Sequence, residues 1–469
     1  MRVLHLSTYD LRGGAARSAC HLVQGLRELS CDARMLVKEK SSGDPEVIGA
    51  GPPARTFATR EREVSLIQRK LIAPHRTSIS NTFFSLPAPG WDLGFHPAVQ
   101  ESAVLHLHWV SGFLSPASIA QLQASGRPMV WTLHDARPFT GGCHFTAGCR
   151  RFETDCHPCP QLDFIEPPLT GVGLAESLAR LHPARITLVA PSRWLASEAR
   201  RSVLFKNARI EVIPYGTDTA VFRPGRAQAR HELGLSPGTV CLLAGADVAG
   251  EQRKGFHILG EALALCQRNE KLRQAIVAGK LQIVVFGADR APLGIDIPAR
   301  WLGRVDAPAD LARWYAASNG FLLPSTEDNL PNTMLESLCC GTPVIGFSAG
   351  GIPEAVESGR NGLLAQSGSA AELASLISRF VEDSNLREEL QANLDIDHTP
   401  HFGLRTQGLR YLALYEQLCQ RPVDPVSQVP ATGPFEATCA ELLRLAKGER
   451  AKGRWRKLRH ALGPRRSTE

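Results

Sequence analysis

The chain has 469 residues, 43% hydrophobic and 21% charged, which is enough apolar material for large cores and excludes whole-chain disorder. At roughly 100–200 residues per domain, two domains is the simplest division. Net charge is +7, but ten basic residues from Arg444 onward face only Glu449 and Glu469, so residues 1–443 sum to −1 and carry no nucleic-acid footprint.

The opening Met1-Arg-Val-Leu-His-Leu-Ser reads as a short strand, not as a charged leader with a long apolar core. No apolar run approaches the roughly 18 residues that span a bilayer. A cytoplasmic protein is expected, peripheral on the inner face of the plasma membrane if its basic end touches lipid. The 12 cysteines are then expected as thiols or metal ligands, not disulfides.

In chain order, strands are predicted at Arg2–Thr8, Ala33–Val37, Ser102–Trp109, Pro128–Leu133, Ile186–Pro191 and Ile210–Pro214. A helix after Gly13-Gly14 places Ala15, Ala19, Leu22, Leu26 and Leu29 on one face. Residues 41–100, rich in Gly, Pro and Ser and holding Phe83, Phe84, Trp91 and Phe95, read as a loop insertion. It either faces a substrate or is a surface excursion. A second series predicts strands at Val240–Gly245, Gln282–Gly287, Gly320–Pro324 and Pro343–Phe347. Helices are predicted between and after them at Phe256–Cys266, Pro308–Ala317, Thr333–Cys340 and Ala370–Phe380.

Strands separated by helix-length segments make parallel βαβ units. The expected fold class is therefore α/β, with two doubly wound, Rossmann-like parallel-sheet domains facing a cleft. The domains are placed at 1–210 and 211–395, with a Cys-rich loop at 141–162 in the first. Residues 421–469 read as a Pro-rich linker and basic tail. Within the tail, Glu436–Arg459 predicts a basic helix with Leu442, Leu443, Leu445, Trp455 and Leu458. An anionic membrane surface is one partner for it, and a solvated tail is the other reading.

The strongest motif runs from Leu323 to Gly346. It sets a strand end, a polar loop, a helix from about Asn332 and a new strand in succession. Asp328 lies in the loop and Glu336 about one turn into the helix, so both carboxylates can face the crevice where open α/β sheets bind ligands. The helix's free first-turn N–H groups near Asn332, Thr333 and Met334 suit a diphosphate. Carboxylates beside them can hold sugar or ribose hydroxyls. Lys254, in Arg253-Lys254-Gly255-Phe256, supplies the cation that a diphosphate leaving group needs. Gly13-Gly14 lets backbone approach a phosphate or sugar. His134 ends a strand and can bond a sugar hydroxyl or steady charge; a plain structural histidine is the alternative.

Taken together, these segments resemble the family 4 retaining glycosyltransferases of GT-B fold. Gly350-Gly-Ile-Pro-Glu-Ala-Val, Asn361-Gly-Leu-Leu, Val189-Ala-Pro-Ser-Arg-Trp-Leu and the stretch Val212–Pro224 extend the resemblance over roughly residues 1–420. It implies that Glu336 holds the nucleotide ribose and that Asp328, with Glu327 beside it, contacts the donor sugar. It also implies donor contacts from Asn329, Asn332 and Thr333, phosphate binding by Lys254 with Arg253, and a donor-side loop at Gly13 and Gly14. His134, Asp328 and Lys254 form the implied catalytic set, and a helix in 396–420 is expected to return to the first domain. Three departures stand out. Asp328 replaces the commoner Glu, Asn329-Leu330-Pro331 replaces a Gly-rich stretch, and no Arg follows Gly245 closely.

The implied function is transfer of a sugar, with retention, from a UDP- or GDP-linked donor to a hydroxyl acceptor, with no metal or cofactor for chemistry. The acceptor is expected to be a glycan or lipid-linked molecule, in bacterial polysaccharide or lipid-linked oligosaccharide assembly. A nucleotide-sugar hydrolase or epimerase, or a non-catalytic nucleotide-sugar-binding protein, are the alternatives. A dinucleotide dehydrogenase is disfavoured, because the G-x-G-x-x-G spacing is missing. Finally, Cys143-x5-Cys149-x6-Cys156-x2-Cys159 has ligands for a structural zinc. Free thiols or a labile disulfide are its other readings.

Overall fold

The computed structural model describes residues 1–51, 55–163, 166–287, 299–397, 401–420 and 433–448. Two parallel sheets organise them. The first is built from β1 (Arg2–Tyr9), β2 (Asp32–Glu39), β3 (Val47–Gly49), β4 (Val104–Leu107), β5 (Met129–Thr132), β6 (Ile186–Ala190) and β7 (Arg209–Val212), in the order β3-β2-β1-β4-β5-β6-β7. The second comprises β8 (Val240–Gly245), β9 (Leu281–Phe286), β10 (Ala299–Gly303), β11 (Gly320–Leu323), β12 (Val344–Ser348) and β13 (Gly362–Gln366), in the order β10-β9-β8-β11-β12-β13. The central strands β4, β5, β6 and β11 are buried along their whole length. That is why they read in sequence as unbroken apolar runs: helices cover both faces of a parallel sheet.

Strand order reverses between β1 and β4 in one sheet and between β8 and β11 in the other. Crevices open beyond the carboxyl ends of strands at such switch points. Gly13 and Gly14 follow β1, Lys254 follows β8 and Asp328 follows β11, so the motifs gather at these two places.

Several expectations need correction. The boundary at 210/211 falls inside β7, whose Arg209–Val212 pair with Thr187–Ala190 of β6, so the first domain extends through Val212. The 41–100 insertion is not a surface excursion. It contains β3 and a helix Arg55–Ile67, and it buries Phe57, Phe84, Leu86, Trp91 and Leu93. Strands β3, β10 and β13 were not predicted; they are edge or near-edge strands with short or mixed patterns.

The helix Leu404–Cys419 lies on the helix Gly14–Glu28 of the first domain, with Tyr411, Leu414 and Tyr415 in that domain's core. The two helices touch backbone to backbone. A Cβ on Gly25 would collide with the Leu404 carbonyl. Part of the expected tail also folds. The helix Pro434–Ala446 places Phe435, Cys439, Leu442 and Ala446 among Val64, Ile67, Leu71 and Val172. Its apolar stripe is therefore core, not a lipid-facing surface, and it ends well before Arg459. Residues 421–432 and 449–469, with Trp455 and Leu458, lie outside the described residues. Among the described residues no helix is long and apolar enough to cross a membrane.

Candidate functional site

The carboxyl edges of the two sheets enclose a cavity of about 500 Å³. Gly13, Gly14, Arg17, Trp109 and His134 line it from the first domain, and Arg253, Lys254, Asp328, Asn332 and Thr333 from the second.

Lys254 and Asp328 form its charged floor. Lys254 Nζ lies 2.7 Å from Asp328 Oδ2, and the Arg253 guanidinium lies 3.2 Å from the same oxygen. Burial alone would raise the Asp328 pKa. Lys254, Arg253 and the Asn329 N–H (3.0 Å) outweigh it and hold the carboxyl below its usual range, so it is ionised. Arg253 is braced by Glu251 at 2.8 Å and lies over the Phe145 ring, 3.9 Å from its centroid. The chain can bring Lys254 this close because the next residue is glycine. Gly255 has φ 67°, and a Cβ there would collide with the Pro324 carbonyl at the end of β11.

Two helix N-termini meet at the cavity. Asn332 Nδ2 donates to the Gly14 carbonyl (3.0 Å) and Ser18 Oγ donates to Asn332 Oδ1 (3.1 Å). This joins the start of Gly14–Glu28 to the start of Asn332–Cys339. First-turn N–H groups have no intrahelical acceptor, so the junction presents two positive dipole ends to one space. An anion fits it.

Of the predicted site residues, Glu327 and Glu336 do not line the cavity, and Asn329 and His134 line it with side chains that are engaged elsewhere. Glu327 turns away from the cavity and accepts N–H bonds from Thr146 (3.0 Å) and Ala147 (2.9 Å) and a bond from Asn81 Nδ2 (2.8 Å). It ties the Cys-rich loop to the second domain. The Asn329 side chain accepts from Ser192 Oγ (2.6 Å) and donates to the Leu133 and His134 carbonyls (both 3.4 Å), another tie between domains. Glu336 lies deeper, one turn past Thr333 and off the cavity wall. Burial raises its pKa, with Arg17 and the Tyr315 hydroxyl as opposing neighbours. His134 does line the cavity, but its ring nitrogens are both engaged inward. Nδ1 bonds the Tyr215 hydroxyl (2.7 Å) and Nε2 bonds His108 Nδ1 (3.2 Å). Burial lowers its pKa to about 4 against the opposing pull of Asp135, so it is neutral at pH 7 and has no ring N–H to spare for a sugar.

Sequence reasoning missed a polar cluster on the same wall. Asp135 Oδ2 accepts from His144 Nδ1 (2.6 Å) and Trp109 Nε1 (2.9 Å), and His144 Nε2 meets Ser85 Oγ (2.7 Å). These residues come from four separate segments, and only Asp135, beside His134, gave a local signal. Arg17 was also missed. It sits three residues after Gly14 on the same helix, so its direction was readable. The four cysteines of 141–162 line a separate small cavity.

The two domains match two known families. Residues 12–221 match the family described as Glycosyltransferase Family 4, and residues 238–383 match Glycosyl transferases group 1. A D-inositol 3-phosphate glycosyltransferase of Actinosynnema mirum is 32% identical over 224 residues, which cover 45% of this chain and 52% of that protein. One from an Arthrobacter species is 29% identical over 253 residues, covering 50% and 58%. The chain spans about half the length of the curated relatives it matches. Among solved structures, Anabaena HepE with UDP and glucose superposes with TM-score 0.58 at 19% identity, over 89% of this chain and 99% of that one. Sucrose-phosphate synthase of Thermosynechococcus elongatus gives 0.61 at 18%, with the same coverage. The chain resembles the family 4 GT-B glycosyltransferases, and its fold is the two-domain α/β GT-B fold.

Proposed function

We propose that the chain is a retaining glycosyltransferase that uses a nucleoside-diphosphate sugar. The observation that carries this reading is the gathering of Lys254, Arg253, Asp328 and two helix N-termini around one interdomain cavity. In the proposed reaction an acceptor oxygen bonds the anomeric carbon while the bond from that carbon to the diphosphate breaks on the same face. The acceptor proton passes to the leaving diphosphate. Lys254, Arg253 and the first-turn N–H groups at Gly14 and Thr333 meet the negative charge that grows on it. Asp328 then turns from its cations to a donor-sugar hydroxyl. His134 acts as a neutral wall, and Arg17 stands ready for the nucleotide side.

UDP is the first base to test, because HepE was solved with UDP and with UDP-glucose. A glycan or lipid-linked acceptor at the inner face of the membrane fits the resemblance, as does a place in polysaccharide or lipid-linked oligosaccharide assembly. WaaG, a glycosyltransferase of lipopolysaccharide biosynthesis, shares the fold with TM-score 0.58 at 15% identity. The test is release of nucleotide from UDP-sugars and GDP-sugars, with and without a bacterial lipid-linked acceptor extract. Release that requires acceptor supports transfer. Fast release without acceptor points to a hydrolase, and binding without release points to a sensor.

A further inference from the structure

The cysteine sulfurs differ in their hydrogen bonds. Cys31, Cys266 and Cys340 act as thiols and donate to the carbonyls of Met1 (3.6 Å), Ala374 (3.5 Å) and Ala312 (3.7 Å). Two sulfurs of the 141–162 loop accept backbone N–H bonds. Cys156 Sγ accepts the Gly141 N–H (3.2 Å) and Cys149 Sγ accepts the Arg151 N–H (3.4 Å). Burial raises the pKa of Cys143, Cys156 and Cys159, so the free groups are thiols; the N–H donors aimed at the sulfurs of Cys149 and Cys156 would remain their partners once a metal ion displaced the protons. These four cysteines line one small cavity. Arg151 also lines it, and Arg137 interacts electrostatically with Cys143 and Cys156. Two cations thus stand by a group that would carry a charge of −2 once a divalent ion and four thiolates are counted. Cys156 itself holds φ 57°, a costly conformation for a residue with a Cβ unless something fixes it.

We propose that Cys143, Cys149, Cys156 and Cys159 bind one zinc ion as a closed tetrahedral site. Zinc displaces the four thiol protons to solvent and forms four Zn–S bonds of about 2.3 Å. Binding must draw the sulfurs together. Among the described residues the only group with three ligand atoms within 4.8 Å of one another is His5, His106 and His108. That trio is already spent on hydrogen bonds with Thr132, His134, Tyr415 and one another, leaving His5 Nε2 alone without a partner. With all four positions filled by protein, the zinc is structural. It braces the loop whose Thr146 and Ala147 bond Glu327 across the domain interface.

The test is metal content of the full chain by mass spectrometry, followed by cobalt substitution. About one zinc per chain is expected, with cobalt giving thiolate charge-transfer and tetrahedral bands. Cys159→Ser should lose both, while Cys266→Ser and His5→Gln keep them. A folded wild-type chain without stoichiometric metal overturns the proposal. So does a disulfide within the cluster, or full metal retention in Cys159→Ser. None of these readouts depends on sugar transfer.

Discussion

Lys254 Nζ and Asp328 Oδ2 stand 2.7 Å apart across 74 residues of sequence, at the meeting of β8's loop with β11's loop. The carboxylate occupies the cation that a diphosphate needs. A nucleotide must therefore compete with Asp328 for Lys254, and removal of the carboxylate charge should help the nucleotide while harming sugar handling. Asp328→Asn is expected to bind UDP as tightly as wild type or a few-fold tighter, with transfer from a UDP-sugar reduced by at least 100-fold, about 2.7 kcal/mol. Calorimetry and a nucleotide-release assay on the same sample separate the two effects. Loss of UDP binding in this variant would contradict the assignment.

Glu327 holds the Cys-rich loop through the amides of Thr146 and Ala147. Glu327→Ala should speed hydrogen exchange at those two amides by tenfold or more, while β5 and β6 stay protected. Unchanged exchange at both amides would show that the loop is held by other means.

Asp10 shapes the loop between β1 and the glycine pair. Burial opposes its ionisation, but the Ser41 hydroxyl (2.6 Å) and the Ser42 N–H (2.7 Å) hold its pKa at about 2. A depressed carboxyl stabilises the fold above its unfolded value and loses that contribution as pH falls toward its folded value. Asp10→Asn is therefore expected to cost about 1–2 kcal/mol at pH 7, with roughly half of that difference gone by pH 3. Denaturant unfolding at both pH values checks it; an equal cost at each would refute the coupling.

The returning helix Leu404–Cys419 is anchored by polar contacts as well as packing. The Tyr415 hydroxyl meets His106 Nδ1 (2.6 Å), and the Tyr411 hydroxyl meets Thr132 Oγ1 (2.8 Å). Tyr415→Phe leaves a fully buried imidazole nitrogen unpartnered, so a loss of about 1–3 kcal/mol is expected. A variant as stable as wild type would mean that another group reaches His106.

Much of this arrangement was legible in the sequence for a physical reason. Strands buried on both faces read as apolar runs, and loops after β1, β8 and β11 must lie at the same edge of their sheets. The proximity of Gly14, Lys254 and Asp328 follows from that. What stayed hidden depends on distant partners. Whether Glu327 or Asp328 faces the cavity is decided by Asn81, Thr146 and Ala147. The inward turn of His134 needs His108 and Tyr215. Phe435, Cys439, Leu442 and Ala446 repeat at helical spacing, but no local pattern says whether such a stripe meets lipid or the helix Leu169–Arg180.

The proposed function requires the interdomain cavity to bind a nucleoside diphosphate through Lys254. Calorimetric titration of UDP and GDP into wild type and Lys254→Ala tests it most directly. One nucleotide should bind wild type and bind the variant at least tenfold more weakly, a difference of about 1.4 kcal/mol. Binding of neither nucleotide by a folded wild-type chain, or equal affinity in the variant, would overturn the role of Lys254.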